Sequence, residues 1–179
     1  MKASKLEAAK ALLDFTIRHF FAGENILALF TSAGAAHVIL HDLAEKKEAG
    51  ASWASQGAVS ASIEIRGFLN ALRKIPNWLK HADKDPLDEI EVSETDLEYL
   101  LFHAVLDLGE FQKKGNFHSN EVSVFQLWFI AKHVTLFSAT EYLHLVKSSQ
   151  QAFGHLAEKC VVEQLAAGLN MLREFEKNA

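Results

Sequence analysis

The sequence predicts an all-α protein, a bundle of about six or seven helices forming one domain over residues 1–179. Three observations carry this. Apolar residues recur at helical spacing through nearly the whole chain. There are only two prolines, Pro76 and Pro86, ten residues apart, so most of the chain is free of helix breakers. A single stretch, Val59 to Ile65, alternates as a strand would, and no second strand is visible to pair with it.

The elements follow in order. A first helix is expected from Ser4 to Ala22, opened by a Ser4/Glu7 capping box and stopped at Gly23. A second runs from Glu24 to Glu48, with Ile26, Leu29, Ala33, His37, Leu40 and Ala44 as its stripe. Residues 49–58, small and Gly-rich, read as a loop. Residues 59–75 read as a third helix, since Ile65, Phe68, Leu69, Leu72 and Ile75 keep a 3.6 period; Pro76 then places a break at Ile75. A fourth helix starts at Ser93 or Thr95, with Thr95/Glu98 as a second capping box, and ends at Lys113, Lys114 and Gly115. The fifth, from Asn120 to Phe137, is apolar nearly all round and reads as the buried centre of the bundle. A sixth covers Ala139–Ser149. A seventh covers Ala152–Lys177, with Cys160 and Phe175 facing inward.

Composition limits function only broadly. Hydrophobic residues make up 49% and charged residues 23%, enough apolar surface for a folded core. Eighteen cations against 23 acids leave a net charge of −5, which argues against a broadly basic nucleic-acid coat. The one cysteine permits no intrachain disulfide and suits a reducing compartment. No signal peptide is evident, and the stretch Asn25–Leu40 is too short and polar for a membrane span. These features predict a soluble, cytoplasmic protein with no membrane partner. The apolar fifth helix and its neighbours predict a homodimer. No Gly-rich phosphate loop and no nucleophile elbow is present, and no cofactor is implied.

Charge is lopsided around the prolines. Arg66, Arg73, Lys74, Lys80 and Lys84 face only Asp83 between residues 66 and 84; residues 85–98 hold seven acids and no cation. A basic segment against an acidic one suits an anion site beside a screening loop, or simply a solvated loop whose acids favour a helix N-terminus.

Within the basic half, Asn77-Trp78-Leu79-Lys80-His81-Ala82-Asp83, followed by Lys84-Asp85-Pro86, resembles the N-aromatic-x-K-H-A-D motif of a group of uncharacterised bacterial helical proteins. The start of the first helix and the AAHVILHDL stretch of the second resemble the same group. The Asn77-x-x-x-His81 spacing is also similar to the Arg-x(4–6)-His motif of the HEPN superfamily. That resemblance implies a small helical bundle, commonly dimeric, and in many members a metal-independent ribonuclease or toxin. The chain departs from the motif where its arginine would stand: that position is Pro76, and Arg73 lies too far back. The resemblance therefore implies a non-catalytic binding module for nucleotide, RNA or a protein partner, or else a ribonuclease with a substitute cation. In such an enzyme His81 would be general acid or base, while Arg73, Lys74 or Lys80 would stabilise phosphate charge. Asn77 would orient the phosphate or the imidazole, and Asp83 and Lys84 complete the candidate ligand-binding set with Lys74. The alternative is that Asn77 and Asp83 cap a helix or turn and His81 satisfies a buried carbonyl.

Nine histidines raise a metal-binding alternative. His37 and His41 lie one turn apart, His103 and Asp107 repeat that spacing, and Glu141-x-x-His144 matches half of a di-iron carboxylate motif. Only one such Glu-x-x-His element occurs, so a complete di-iron set is lacking.

Overall fold

The computed structural model describes residues 2–81, 83, 84, 86–112 and 119–177. Among them there are nine α-helices and no strand: α1 (Lys5–Phe21), α2 (Ile26–Lys47), α3 (Trp53–Ser60), α4 (Ile65–Leu72), α5 (Lys74–Lys80), α6 (Glu94–Gln112), α7 (Asn120–Lys132), α8 (Leu143–Phe153) and α9 (Val161–Lys177). Three short 3₁₀ turns lie within 134–137, 140–142 and 156–158. The chain divides into two compact units, Met1–Thr16 with Asn25–Phe117, and Ile17–Glu24 with His118–Ala179.

Local chemistry fixes most helix ends in the first unit. The Ser4/Glu7 capping box forms: the Ser4 N–H donates to Glu7 Oε2 at 2.7 Å, and the Glu7 N–H to Ser4 Oγ at 3.2 Å. Gly23 follows α1 at φ +70°, a conformation that favours glycine. Asn25 caps α2 by accepting from the N–H groups of Leu27 and Ala28.

α2 is the core helix of this unit. Leu29, Phe30, Ala33, Ala36, Leu40 and Ala44 are buried, and its main partner is α6, which contributes Leu97, Leu100, Leu101, Ala104 and Leu108. Counted to Lys47, α2 has 22 residues and a mean hydropathy of 1.5 over its most apolar stretch. By length and composition alone it passes the test for a membrane span, as core helices of soluble domains also do.

Several expectations are corrected. Residues 49–58 are not all loop, because Ser52 caps α3 through the Ser55 N–H and the Glu45 carboxylate gathers the residues before it. The alternation at 59–65 is neither strand nor continuous helix: α3 ends, Ser62 turns at φ +56°, and Glu64 caps α4. The break expected at Ile75 falls at Arg73. Pro76 sits in the first turn of α5, where a backbone N–H would have no helical partner to lose. α6 is capped by Ser93 with Asp96, not by Thr95 with Glu98. The Lys113–Gly115 terminus expected for it lies outside the described residues, as do Ala82 and Asp85 of the motif.

In the second unit α7 is the buried centre, with Val122, Phe125, Trp128, Phe129 and Ile130 inside. It ends at Lys132 rather than Phe137. Phe20, Phe21, Phe125 and Trp128 form an aromatic cluster with centroids 5.4–6.2 Å apart. The Trp128 indole donates to the Gln164 carbonyl at 2.7 Å. The helix expected at 139–149 runs from Leu143 to Phe153, and Gly154 ends it at φ +64°. The last helix therefore begins only at Val161. Cys160 is consequently exposed at its start rather than set in the core, and Phe175 is 44% exposed.

One contact positions α5. Pro76 packs onto α2 at Gly34, where an added Cβ would lie 2.6 Å from Pro76 Cβ and 2.8 Å from its Cγ. Both partners are rigid. The Gly34→Ala variant gains up to about 1 kcal/mol of helix propensity and loses about 1–3 kcal/mol to overpacking. We expect a net destabilisation of about 1–2 kcal/mol, read from urea unfolding.

Candidate functional site

Most of the residues singled out in the sequence fall into two groups within the first unit. The first is a pocket of about 580 Å³ built on α5. Lys74, Asn77, Trp78 and His81 line it at i, i+3, i+4 and i+7, one face of the helix. Lys84 adds a second ammonium. Asp88, Glu89, Ile90 and Glu91 form the facing wall. Within the acidic block Asp88, Glu89, Glu91, Glu94 and Asp96 are solvent-exposed, and Glu94 and Asp96 stand in the first turn of α6, as the solvated-loop reading expects; Asp88, Glu89 and Glu91 also line the pocket with the basic face. Among the described residues no ion pair joins the two walls, although opposite charges line them.

His81 is exposed at the end of α5, where its backbone N–H closes on the Trp78 carbonyl. It is therefore no buried histidine holding a core carbonyl. Lys80 and Asp83 are exposed and do not line the pocket. Position 76 faces Gly34 of α2 rather than the pocket.

Arg73 is not in the pocket either. It turns into the unit, where its Nε donates to His37 Nδ1 at 3.1 Å. Arginine only donates, so this bond fixes His37 as the neutral tautomer with its proton on Nε2. Around the pair lies a buried polar cluster. The His37 and His41 rings stack with centroids 5.9 Å apart. His103 meets the Phe68 ring edge-on at 5.5 Å. Asp107, fully buried, accepts from the Trp53 N–H at 2.7 Å. His37 Nε2, His41 Nδ1, Arg73 Nη2, His103 Nδ1 and Asp107 Oδ2 are buried without a hydrogen-bond partner.

Burial dominates the electrostatics of this cluster. It pushes His37 down to about 2, with the positive charge of Arg73 adding to the effect, and His103 down to about 4. Burial and Arg73 also lower His41. Burial lifts the Asp107 carboxyl to about 7, against the opposing bond from the Trp53 N–H. Burial alone would raise Glu45 too. Donation from the Gly50 N–H and from Ser52 and Ser55 outweighs it and holds the carboxylate at about 2.

The imidazoles of this cluster are thus neutral near pH 7, as metal ligands must be. Yet among the described residues no group of three or more His, Cys, Asp or Glu side chains is arranged to hold a metal ion. Glu141 and His144 belong to the other unit and are both exposed. The role of His103 and Asp107 was visible in the sequence only as a repeated i, i+4 spacing; the partnership of Arg73 with His37 had no local signal.

Comparison with protein-family models, with curated proteins and with solved structures found no match for this chain.

The Asp107 shift gives the fold a pH signature. Between its ordinary value of 3.8 and about 7, the folded chain keeps a proton that the unfolded chain has released. Its contribution to stability therefore falls as pH rises through that window. Asn mimics the protonated carboxyl and does not titrate, while the depressed histidines are common to both proteins. Relative to Asp107→Asn, the wild type should lose up to about 1.4 kcal/mol of stability per pH unit between pH 4 and pH 7, measured by chemical denaturation.

Proposed function

We propose that this protein is a non-catalytic binding module whose site is the α5 pocket, and that its ligand is a small molecule carrying both an anionic and a cationic group. One observation carries the reading: two walls of opposite charge face each other across about 580 Å³ without pairing among the described residues. Lys74 and Lys84 suit an anionic group. Asp88, Glu89 and Glu91 suit a cationic one, and the Trp78 ring offers an apolar and cation-accepting face. A nucleic-acid strand brings phosphates alone and would set them against three carboxylates, so RNA is disfavoured here.

The HEPN-like ribonuclease reading asks for a guanidinium beside His81. Arg73 is committed to His37, and the motif position itself is a proline packed on Gly34. This supports the non-catalytic alternative. The protein should leave a mixed-sequence RNA intact in excess EDTA.

Phosphocholine, with one phosphate and one quaternary ammonium, is a suitable probe. It should shift the His81 imidazole resonances saturably at fixed pH. Lys74→Ala and Glu89→Gln should each weaken binding about three- to tenfold, the range of a partly solvated charged contact. Absence of any shift at His81, or equal binding by both variants, would overturn the reading.

A further inference from the structure

The α5 pocket does not end at Lys74. A smaller cavity of about 140 Å³ shares Lys74 and Glu91 with it. A third, of about 210 Å³, shares Ala71, Leu72 and Asp96 with the second. Shared lining residues set the three side by side, as successive segments of a furrow. Its walls run antiparallel: going inward, one follows the chain from His81 back to Phe68, the other from Asp88 forward to His103. The α4–α5 wall changes from charged to apolar along the way, while the other keeps one carboxylate, Asp96. The mouth holds Lys74, Lys84 and three acids; the far end is Phe68, Ala71, Leu72 and Tyr99, with Asp96 at its edge and His103 closing it.

An independent feature of α4 agrees. Its apolar residues Ile65, Phe68, Leu69 and Leu72 fall at i, i+3, i+4 and i+7, the pattern of a helix that buries one face. Yet no residue of α4 is buried. Part of that stripe, Phe68 and Leu72, lines the far end of the furrow. At that end His103 also brings a buried Nδ1 without a partner.

We propose, building on the binding reading above, that the ligand is an amphiphile: a zwitterionic head held at the α5 mouth and a short apolar tail laid along α4 to His103. The tail slot has about seven water molecules' worth of volume, enough for a short hydrocarbon chain and too small for a lipid's full acyl chain. The ligand is therefore a soluble single-tailed molecule rather than a bilayer surface.

The test compares phosphocholine with hexylphosphocholine, both below micellar concentration, by NMR of histidine-labelled protein. Phosphocholine should shift His81 and leave His103 unmoved. Hexylphosphocholine should shift both, and bind at least about thirtyfold more tightly, since each buried methylene is worth about fourfold. Ala71→Trp, an exposed position at the slot, should erase that gain and leave phosphocholine affinity unchanged. If phosphocholine binds and the hexyl tail adds nothing, or adds affinity without shifting His103, the tail assignment is overturned and the head pocket stands. If phosphocholine itself fails to shift His81, the binding reading falls and the furrow with it. Co-sedimentation with phosphatidylcholine vesicles that is undiminished in Ala71→Trp would overturn the furrow as the site.

Discussion

The candidate site depends on how the chain is pinned at the junction of α4 and α5. Two contacts do this within three residues. Arg73 donates to His37, and Pro76 rests on Gly34, both on α2. His37 and Gly34 are three residues apart, so they lie on one face of that helix. The bond from a charged guanidinium contributes about 1.5–3 kcal/mol, and it is made by a half-buried side chain. With Arg73 and Pro76 turned toward α2, the helix period carries Lys74, Trp78 and His81 away from that packed face and leaves Asn77 at its border. The display of the pocket wall is thus a consequence of packing one turn away.

That arrangement also separates two electrostatic regimes. Inside, burial suppresses charge: His37 and His103 stay neutral and Asp107 resists ionisation. Arg73 is the cation admitted there, and its pKa too is lowered by burial, although Asp42 and Asp107 counteract it. Glu45 keeps its charge because Gly50, Ser52 and Ser55 donate to it, and in doing so it gathers the turn that starts α3. Outside, on α5 and residues 88–91, the charged side chains sit in solvent. In the proposed binding reading, recognition belongs to the solvated set, and the buried set keeps the scaffold in register.

How far the sequence discloses this depends on how local each cause is. Ser4 with Glu7 and Gly23 act within one turn, and they were legible as a cap and a stop. α3 was not, because its start relies on Glu45, seven residues upstream of Ser52, and on Asp107 from α6. Pro76 misled by one register step: proline is read as a breaker, yet in the first turn of α5 it is tolerated. Cys160 followed the apolar stripe of a helix that in fact begins one residue later. For the site, Lys74, Asn77 and His81 stand out in the sequence as candidates, but their common helical face does not, because Pro76 reads as ending the helix before it. Lys80 and Asp83 shared their neighbourhood in sequence but not their orientation. Arg73, one residue before that face, belongs to the interior for a reason that only tertiary packing supplies.

The charge asymmetry between residues 66–84 and 85–98 takes its meaning from the same geometry. Opposite charges brought close in a protein ordinarily collapse into ion pairs, each worth up to about 1 kcal/mol at the surface. Here the helical wall is fixed by Arg73 and Pro76, and the acidic wall leads into α6, whose start is fixed by Ser93 and Asp96. Among the described residues Lys74 and Lys84 make no ion pair with Asp88, Glu89 or Glu91. A ligand with both charges can satisfy both walls without moving them, so little ordering cost is left to pay on binding. A ligand with one charge satisfies one wall and is repelled by the other. The proposed preference for a zwitterion then rests on the opposed charges of the two walls, the helical one set by the contacts that hold α5 against α2.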